Sequence, residues 1–428
     1  MTEYLTGMLV AVFAAGYLLI ACEHWTRVNK AAVALLTGVA AWTLLTVGGE
    51  GGPQVVAQLA DHLSDTAGIL FFLLGAMTIV ELIDAHAGFQ VLLGPIRQSG
   101  KRRLLVVVAL ATFLLSAVLD NLTTTIVAIS ILRKLVADRR DRMLYAGMVV
   151  IAANAGGAWT VIGDVTTTML WIGGQVTTMG IMRALLLPSL VCLAVSVLLI
   201  APQFRGALPP PPAPEAGAAA RGPSRAEQLV VLIAGLAGLL LVPVFKALTH
   251  LPPYMGMLLS LGLLWTLTEF LHRGKEQDTR HGYSVAAALR RIDTTVILFF
   301  LGILLCIAAL QTGGVLESAG RWLAAHLRDE RLIVVATGLV SAVVDNVPLV
   351  AALQRMYTLA QYPADHLFWE LLAYCAGTGG SILIIGSAAG VAAMGMENLD
   401  FWWYLRRIGW IALVGYLAGV ACYVLLYA

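Results

Sequence analysis

The chain has 428 residues, of which 59% are hydrophobic and only 12% are charged. Soluble domains carry about 25% charged residues, so this composition excludes an ordinary soluble protein and indicates a polytopic, all-α membrane protein. The formal net charge is +2 and basic tracts interleaved with aromatics are missing, which argues against nucleic acid as a partner.

Apolar runs long enough to span a bilayer, about 17–25 residues, occur near 7–22, 31–47, 66–83, 145–172 and 183–201 in the first half. The second half gives 229–248, 254–271, 294–311, 366–395 and 405–427. The first run has no basic leader or small-residue cleavage site, so it is predicted as a transmembrane helix and not a signal peptide. Two further apolar regions, 104–136 and 332–357, are interrupted by Asp-Asn. They are predicted to be re-entrant helical hairpins, whose tips must be buried in protein or line a wet cavity. Residues 203–228 hold PPPPAPEAGAAARGPSR, a Pro/Ala-rich linker on the cytoplasmic side. It separates a first repeat, 1–202, from a second, 229–428. The five cysteines lie in apolar sequence without metal-ligand spacing and are read as small buried hydrophobes. Trp402, Trp403 and Tyr404 read as an interfacial aromatic belt.

The halves repeat internally. DTAGILFFLLG at 65–75 matches DTTVILFFLG at 293–302, SAVLDN at 116–121 matches SAVVDN at 341–346, and GGAWTVIG at 156–163 matches GGSILIIG at 379–386. Three matched blocks in the same order indicate an internal duplication. With the N-terminus outside, and five spans plus one hairpin per half, most Lys and Arg residues fall in inside loops. Arg97, Lys101, Arg102, Arg103, Arg139, Arg140, Arg290 and Arg291 are examples, as the positive-inside rule asks. Five spans is an odd number, so the second half enters the membrane inverted, and both termini lie outside. The expected fold is two inverted-topology repeats with broken helices at the midplane, where transporters of this plan place their sites.

A carboxylate at the centre of a membrane helix costs roughly 2.5–3.5 kcal/mol on insertion scales, so Asp120 and Asp345 at the two DN tips are functional candidates. The first candidate site is hairpin one, with Ser116, Asp120, Asn121, Thr123, Thr124 and Thr125. A small hard cation such as Na⁺ or Li⁺ needs several oxygen ligands in place of its water, and these side chains supply them. The bland alternative is threonine back-bonding and helix capping. The site continues in 154–168, NAGGAWTVIGDVTTT, where Gly156, Gly157 and Gly163 weaken the helix. Asp164 would then sit at or beside a break and, if the break faces hairpin one, share a cavity with Asp120. Two neighbouring carboxylates cannot both stay ionised without a cation or a shared proton, which gives a direct route to cation/proton competition. A mirrored site holds Ser341, Asp345, Asn346 and Pro348 with Thr378, Ser381 and Ser387, and it has one carboxylate fewer because Ser387 aligns with Asp164. Glu81, Asp84 and His86 lie outside the duplicated plan. They read either as a proton funnel or pH sensor, or as a helix end at the interface.

The motifs ELIDAHAGF, LDNLTTT, NAGGAWTVIGDVTTTMLW, VDNVPLVAA and GTGGS…IGSAAGVAAMG resemble the NhaD-type sodium/proton antiporters of the ion transporter superfamily. The resemblance covers roughly 65–172 and 293–396. It implies a bacterial inner-membrane homodimer that exchanges Na⁺ or Li⁺ for H⁺, with no cofactor and no enzymatic activity. It also implies ion-binding roles for Asp120, Asn121, Thr123, Asn154, Asp164, Thr166 and Thr167, and for Asp345, Asn346, Ser381 and Ser387. Divalent-anion symporters of the same superfamily carry Ser-Asn-Thr at the tips, where this chain has Asp-Asn. An arsenite or carboxylate permease is the alternative, although no Lys or Arg lies near the DN tips in sequence. An intramembrane aspartyl protease using Asp120 and Asp345 is a remote one, since VIGD at 161–164 lacks the second glycine that class would need.

Overall fold

The computed structural model describes residues 3–21, 26–48, 52–91, 100–204, 206, 223–273, 282–292, 294–326, 329–342 and 346–427. Every regular element among them is helical. The first half comprises α1 (Glu3–Ala21), α2 (Lys30–Gly48), α3 (Gly52–Ala85), α4 (Lys101–Ser116), α5 (Asn121–Leu135), α6 (Arg139–Ala158), α7 (Val165–Ile172) and α8 (Thr178–Ile200). The second comprises α9 (Arg225–Thr249), α10 (Pro253–Leu271), α11 (Val285–Arg291), α12 (Thr294–Thr312), α13 (Val315–His326), α14 (Glu330–Val340), α15 (Asn346–Met356), α16 (Leu367–Gly379), α17 (Ala388–Glu397) and α18 (Phe401–Tyr427).

Among the described residues, seven helices are long and apolar enough to cross a membrane: α2, α3, α8, α9, α10, α12 and α18. Their outward faces carry large apolar side chains such as Leu198 (71% exposed), Leu248 (77%) and Phe270 (67%). Water would penalise that surface and hydrocarbon does not, so the protein is a multi-pass membrane protein. The third span differs from expectation. It is read from the sequence as 66–83, but α3 runs for 34 residues, about 50 Å. The more polar stretch 52–65 continues the helix beyond the roughly 30 Å hydrocarbon layer.

The first DN region is a helix–break–helix unit, with α4 and α5 flanking 117–120; in the second, α14 ends at Val340 in a turn over 341–342 and α15 starts at Asn346. Both glycine-rich regions are broken helices, α6 with α7 and α16 with α17. The four units interlock. Within each half, α4 packs on α6 and α14 on α16; between halves, α5 packs on α17 and α7 on α15 and α16. Matching contacts recur: Ser116 Oγ donates to the Ala153 carbonyl at 2.6 Å, and Ser341 Oγ to the Ala376 carbonyl at 3.0 Å. A Cβ on Gly156 would fall on the Phe113 carbonyl, and one on Gly379 on the Gly338 carbonyl. Gly156 therefore lies within the intact part of α6, where its missing side chain lets α4 approach; the break itself begins after Ala158. A second body of helices centres on α2 and α12, joined by Trp42 Nε1, which donates to the Leu305 carbonyl at 2.9 Å.

Candidate functional site

Three helix starts at the breaks are capped by the side chains the sequence marks out. Asp120 caps α5, accepting from Thr123 N (2.8 Å) and Thr123 Oγ1 (2.6 Å). Asp164 caps α7, where Oδ1 accepts from Thr166 N (2.8 Å) and Thr166 Oγ1 (2.6 Å). Ser387 caps α17, accepting from Gly390 N at 3.2 Å. Each cap satisfies backbone N–H groups that a chain break in the membrane would otherwise leave bare. Negative charge at a helix N-terminus is also favoured by the aligned peptide dipoles.

The second oxygen of Asp164 leads into a buried amide network. Asn121 Nδ2 donates to Asp164 Oδ2 (2.9 Å) and to Asn154 Oδ1 (2.9 Å). Asn154 Nδ2 in turn donates to Ser381 Oγ (2.8 Å) and Ser387 Oγ (2.9 Å). Both hydrogens of each amide are engaged, which fixes how the amides face. Asp164 is 1% exposed, Asn121 6%, and Asn154 0%, so the network lies in the protein interior. Gly377, at the position of the second half that aligns with Asn154, brings bare backbone up to Asp164 Oδ2, where a Cβ would sit 3.6 Å away. Acceptor oxygens from carboxylate, amide and hydroxyl groups thus converge from α5, α6, the α6–α7 break and the α16–α17 break.

The surroundings hold this cluster in place. Thr160 Oγ1 donates to the Ala117 carbonyl at 2.6 Å, tying the break to the hairpin tip, and Thr168 Oγ1 donates to the Val161 carbonyl at 2.8 Å. Tyr404 Oη donates to the Ser381 carbonyl at 2.9 Å. That corrects the reading of Tyr404 as an interfacial belt residue. It is fully buried, while Trp402 is 62% exposed, because α18 turns one face toward the broken helices.

The other marked residues are placed as follows. Ser381 and Ser387, read from sequence as part of a separate mirrored site, join the Asn154 network. Thr167 Oγ1 reaches the Ala158 carbonyl at 3.3 Å across the break. Asn346 is buried at the start of α15, and Asp345 lies outside the described residues. The Asp120 oxygens are held by Thr123, while Asn121 supplies the bridge to Asp164. Asp120 and Asn121 also face an apolar cavity against Phe72, Ala76, Val80 and Phe300, where the tip meets α3 and α12. Glu81, near the end of α3, faces Arg291 of α11 at 3.6 Å, and Asp84 is exposed. His86 is buried, with Nδ1 2.7 Å from the Leu82 carbonyl and Nε2 2.8 Å from Nε2 of His272.

Two charged contacts have no sequence signature. Glu397, 2% exposed at the end of α17, accepts from Arg133 Nε (2.8 Å) and Arg142 Nε (2.7 Å), joining α17 to α5 and α6. Lys246 of α9 donates to the Trp171 carbonyl at 2.8 Å and lies 4.2 Å from the Trp171 ring centroid. Its charge is thereby placed at the C-terminal end of α7.

Comparison with known proteins agrees with this architecture. The sequence profile described as "Citrate transporter" matches residues 17–377. The chain is 48% identical to "Sodium/proton antiporter 1" of Arabidopsis thaliana over 97% of this chain and 71% of that protein. It is 45% identical to "Sodium/proton antiporter 2" of the same plant, over 97% and 98% of the two chains. It is 31% identical to "Na(+)/H(+) antiporter NhaD" of Vibrio cholerae, over 97% and 90%. The solved YdaH transporter of Alcanivorax borkumensis shares the fold at a TM-score of 0.56 and 12% identity, covering 88% of each chain. The chain therefore belongs to the NhaD sodium/proton antiporter family, within the wider group that the citrate-transporter profile describes.

Proposed function

We infer that this chain is a secondary active transporter that exchanges Na⁺ for H⁺ across a membrane. The observation that carries the mechanism is Asp164, a buried carboxylate held at a broken-helix start and bonded through Asn121 into an amide and hydroxyl network. An ionised carboxylate out of water needs compensating charge, and a bound cation or a bound proton supplies it equally well. Cation and proton then compete for one position, which is the minimum an exchanger requires. The oxygens of Asp164, Asn121, Asn154, Ser381 and Ser387 would replace the hydration shell of Na⁺ or of the smaller Li⁺. Asp120 adds a second carboxylate one residue from Asn121, and Thr123 holds it at the tip. Asp345 and Asn346 would complete the corresponding tip of the second half.

The crossed packing of α5 on α17 and of α7 on α15 supports two inverted-topology repeats, because a pseudo-two-fold relation generates both pairs. In that arrangement the interlocked hairpins and broken helices move together against the α2–α12 body, exposing the site to each side in turn. The basic loop residues support an orientation with both termini outside, and the family resemblance suggests a cytoplasmic membrane and a homodimer. Relatives occur in a plant as well as in bacteria, so assignment to a bacterial inner membrane rests on the resemblance alone.

An anion permease is the second reading, because the matching profile is described as a citrate transporter. A carboxylate at the centre of the site would repel such a substrate, whereas a cation is drawn to it. Purified protein in proteoliposomes carrying an internal pH dye separates the two. Outward Na⁺ gradients that drive proton uptake, with no response to citrate, support exchange; citrate accumulation without Na⁺-coupled proton movement refutes it.

A further inference from the structure

The body of α5 carries two hydroxyls that the network does not use. Thr124 and Thr125 are both 0% exposed, and neither Oγ1 has a hydrogen-bond partner among the described residues. Threonines in the helices of this protein ordinarily avoid that state by donating to the carbonyl four residues earlier. Thr37, Thr43, Thr46, Thr78, Thr337 and Thr378 all do so, at 2.5–2.9 Å. The same bond would take Thr124 to the Asp120 carbonyl and Thr125 to the Asn121 carbonyl, and it is made at neither. A buried hydroxyl left without a partner is unfavourable in any helix, and more so in a membrane interior.

Their register gives the direction. Thr124 and Thr125 follow Asn121 by three and four residues, so they flank the helix face that carries the Asn121 amide. Side chains on a helix lean toward its N-terminus, so these hydroxyls lie over the turn that begins at Asn121, Asp120 and the break. That turn is the one nearest the site, because Asn121 itself bonds to Asn154 of α6 and to Asp164 at the start of α7.

We propose that the Thr124 and Thr125 hydroxyls are cation ligands of the Asn121–Asp164 site, on the side of the site that faces along α5. They complete an oxygen shell that the amides, being committed to one another, supply only in part. This rests on the exchanger reading above and adds two residues to its site. The hydroxyls would turn their lone pairs to Na⁺ when it binds. With a proton at the site instead, they lack that partner, so they favour the cation-loaded form.

The test is equilibrium binding of radioactive ²²Na⁺ to the purified full-length protein, paired with thermal unfolding in detergent with and without Na⁺. The variants are Thr124→Val, Thr125→Val and the double change, with Thr124→Ser/Thr125→Ser as the conservative control. Valine has the shape of threonine without the hydroxyl. If the hydroxyls serve only as packing, removing them relieves an unsatisfied group: the valine variants melt at or above the wild-type temperature and bind Na⁺ normally, which overturns the proposal. If they are ligands, the valine variants melt no lower without Na⁺, lose most of the Na⁺-induced rise in melting temperature, and bind Na⁺ roughly ten-fold more weakly. The serine variant then retains near-normal binding. Wild-type protein that binds no Na⁺ would instead overturn the exchanger reading on which the proposal stands, so the two failures are distinguishable.

Discussion

Replacing Asn154 by alanine removes a side chain that joins the two halves of the site. Its oxygen accepts from Asn121 at 2.9 Å, and its nitrogen donates to Ser381 at 2.8 Å and Ser387 at 2.9 Å. The two serine oxygens each lose a donor, but Ser387 Oγ still accepts from Gly390 N, so their share of the damage is smaller. The Asn121 N–H loses its acceptor, and a buried donor left unmet costs about 1–3 kcal/mol. Asn121 would then swing, loosening its second bond, the one to Asp164 Oδ2. Loss of a hydrogen bond to a charged group is worth about 1.5–3 kcal/mol, equivalent to a roughly 10- to 150-fold weaker Na⁺ site. The assay is the Na⁺ concentration giving half-maximal proton release from vesicles, measured beside the melting temperature of the purified protein. Asn154→Ala is expected to raise half-saturation by at least ten-fold while the protein remains folded. Half-saturation within two-fold of wild type would show that the amide network is packing and not site, and the reasoning would fail.

Other consequences can be checked in the same preparations. Gly156→Ala places a methyl on the Phe113 carbonyl and is expected to destabilise by about 1–3 kcal/mol or prevent folding. Gly395→Ala, in the open space of α17, should be neutral or slightly stabilising in the same thermal assay. Glu397→Gln leaves Arg133 and Arg142 facing a neutral amide. Because Arg133 is about half exposed and can turn to water, we expect a loss of about 2–3 kcal/mol, below that of a fully buried pair, read as a lower melting temperature. Exchange should rise with pH between 6 and 10, since the empty site must release protons before it binds Na⁺, and a flat profile would count against competition. Surface caps do not supply that dependence. The backbone N–H of Asp141 holds the Asp138 carboxyl below its ordinary range, so the stability it adds is present above about pH 4 and lost only as pH falls further.

Part of the candidate site was legible because its residues break the rules of an apolar span. Asp120, Asn121 and Asp164 stand out in a membrane helix as they would not in a soluble one, and the DN and GG blocks mark the breaks between α4 and α5, α6 and α7, and α16 and α17. The connections between the halves were not legible. Asn154 meets Ser381 and Ser387 across more than 220 positions of sequence, and nothing local in GTGGS or IGSAAG says which asparagine they meet. The duplication suggested two mirrored sites, whereas the serines of the second half bond to Asn154 of the first. Glu397 and its two arginines were invisible for the same reason, since each looks like an ordinary helix-end charge until α17 is laid against α5 and α6. The length of α3 was missed because 52–65 is too polar to read as a span, although a helix leaving the bilayer needs no apolar sequence.

The proposed exchange has Na⁺ and H⁺ alternate on one buried carboxylate. It is tested most directly by Na⁺- and Li⁺-induced proton release in everted vesicles, comparing wild type with Asp164→Asn across pH 6 to 10. The amide keeps the shape and the Asn121 contact but can neither ionise nor carry a proton in exchange. Cation-dependent proton release is expected in wild type and is expected to be abolished in Asp164→Asn at every pH. Robust exchange by the mutant would contradict it and move the exchanging carboxylate elsewhere in the protein.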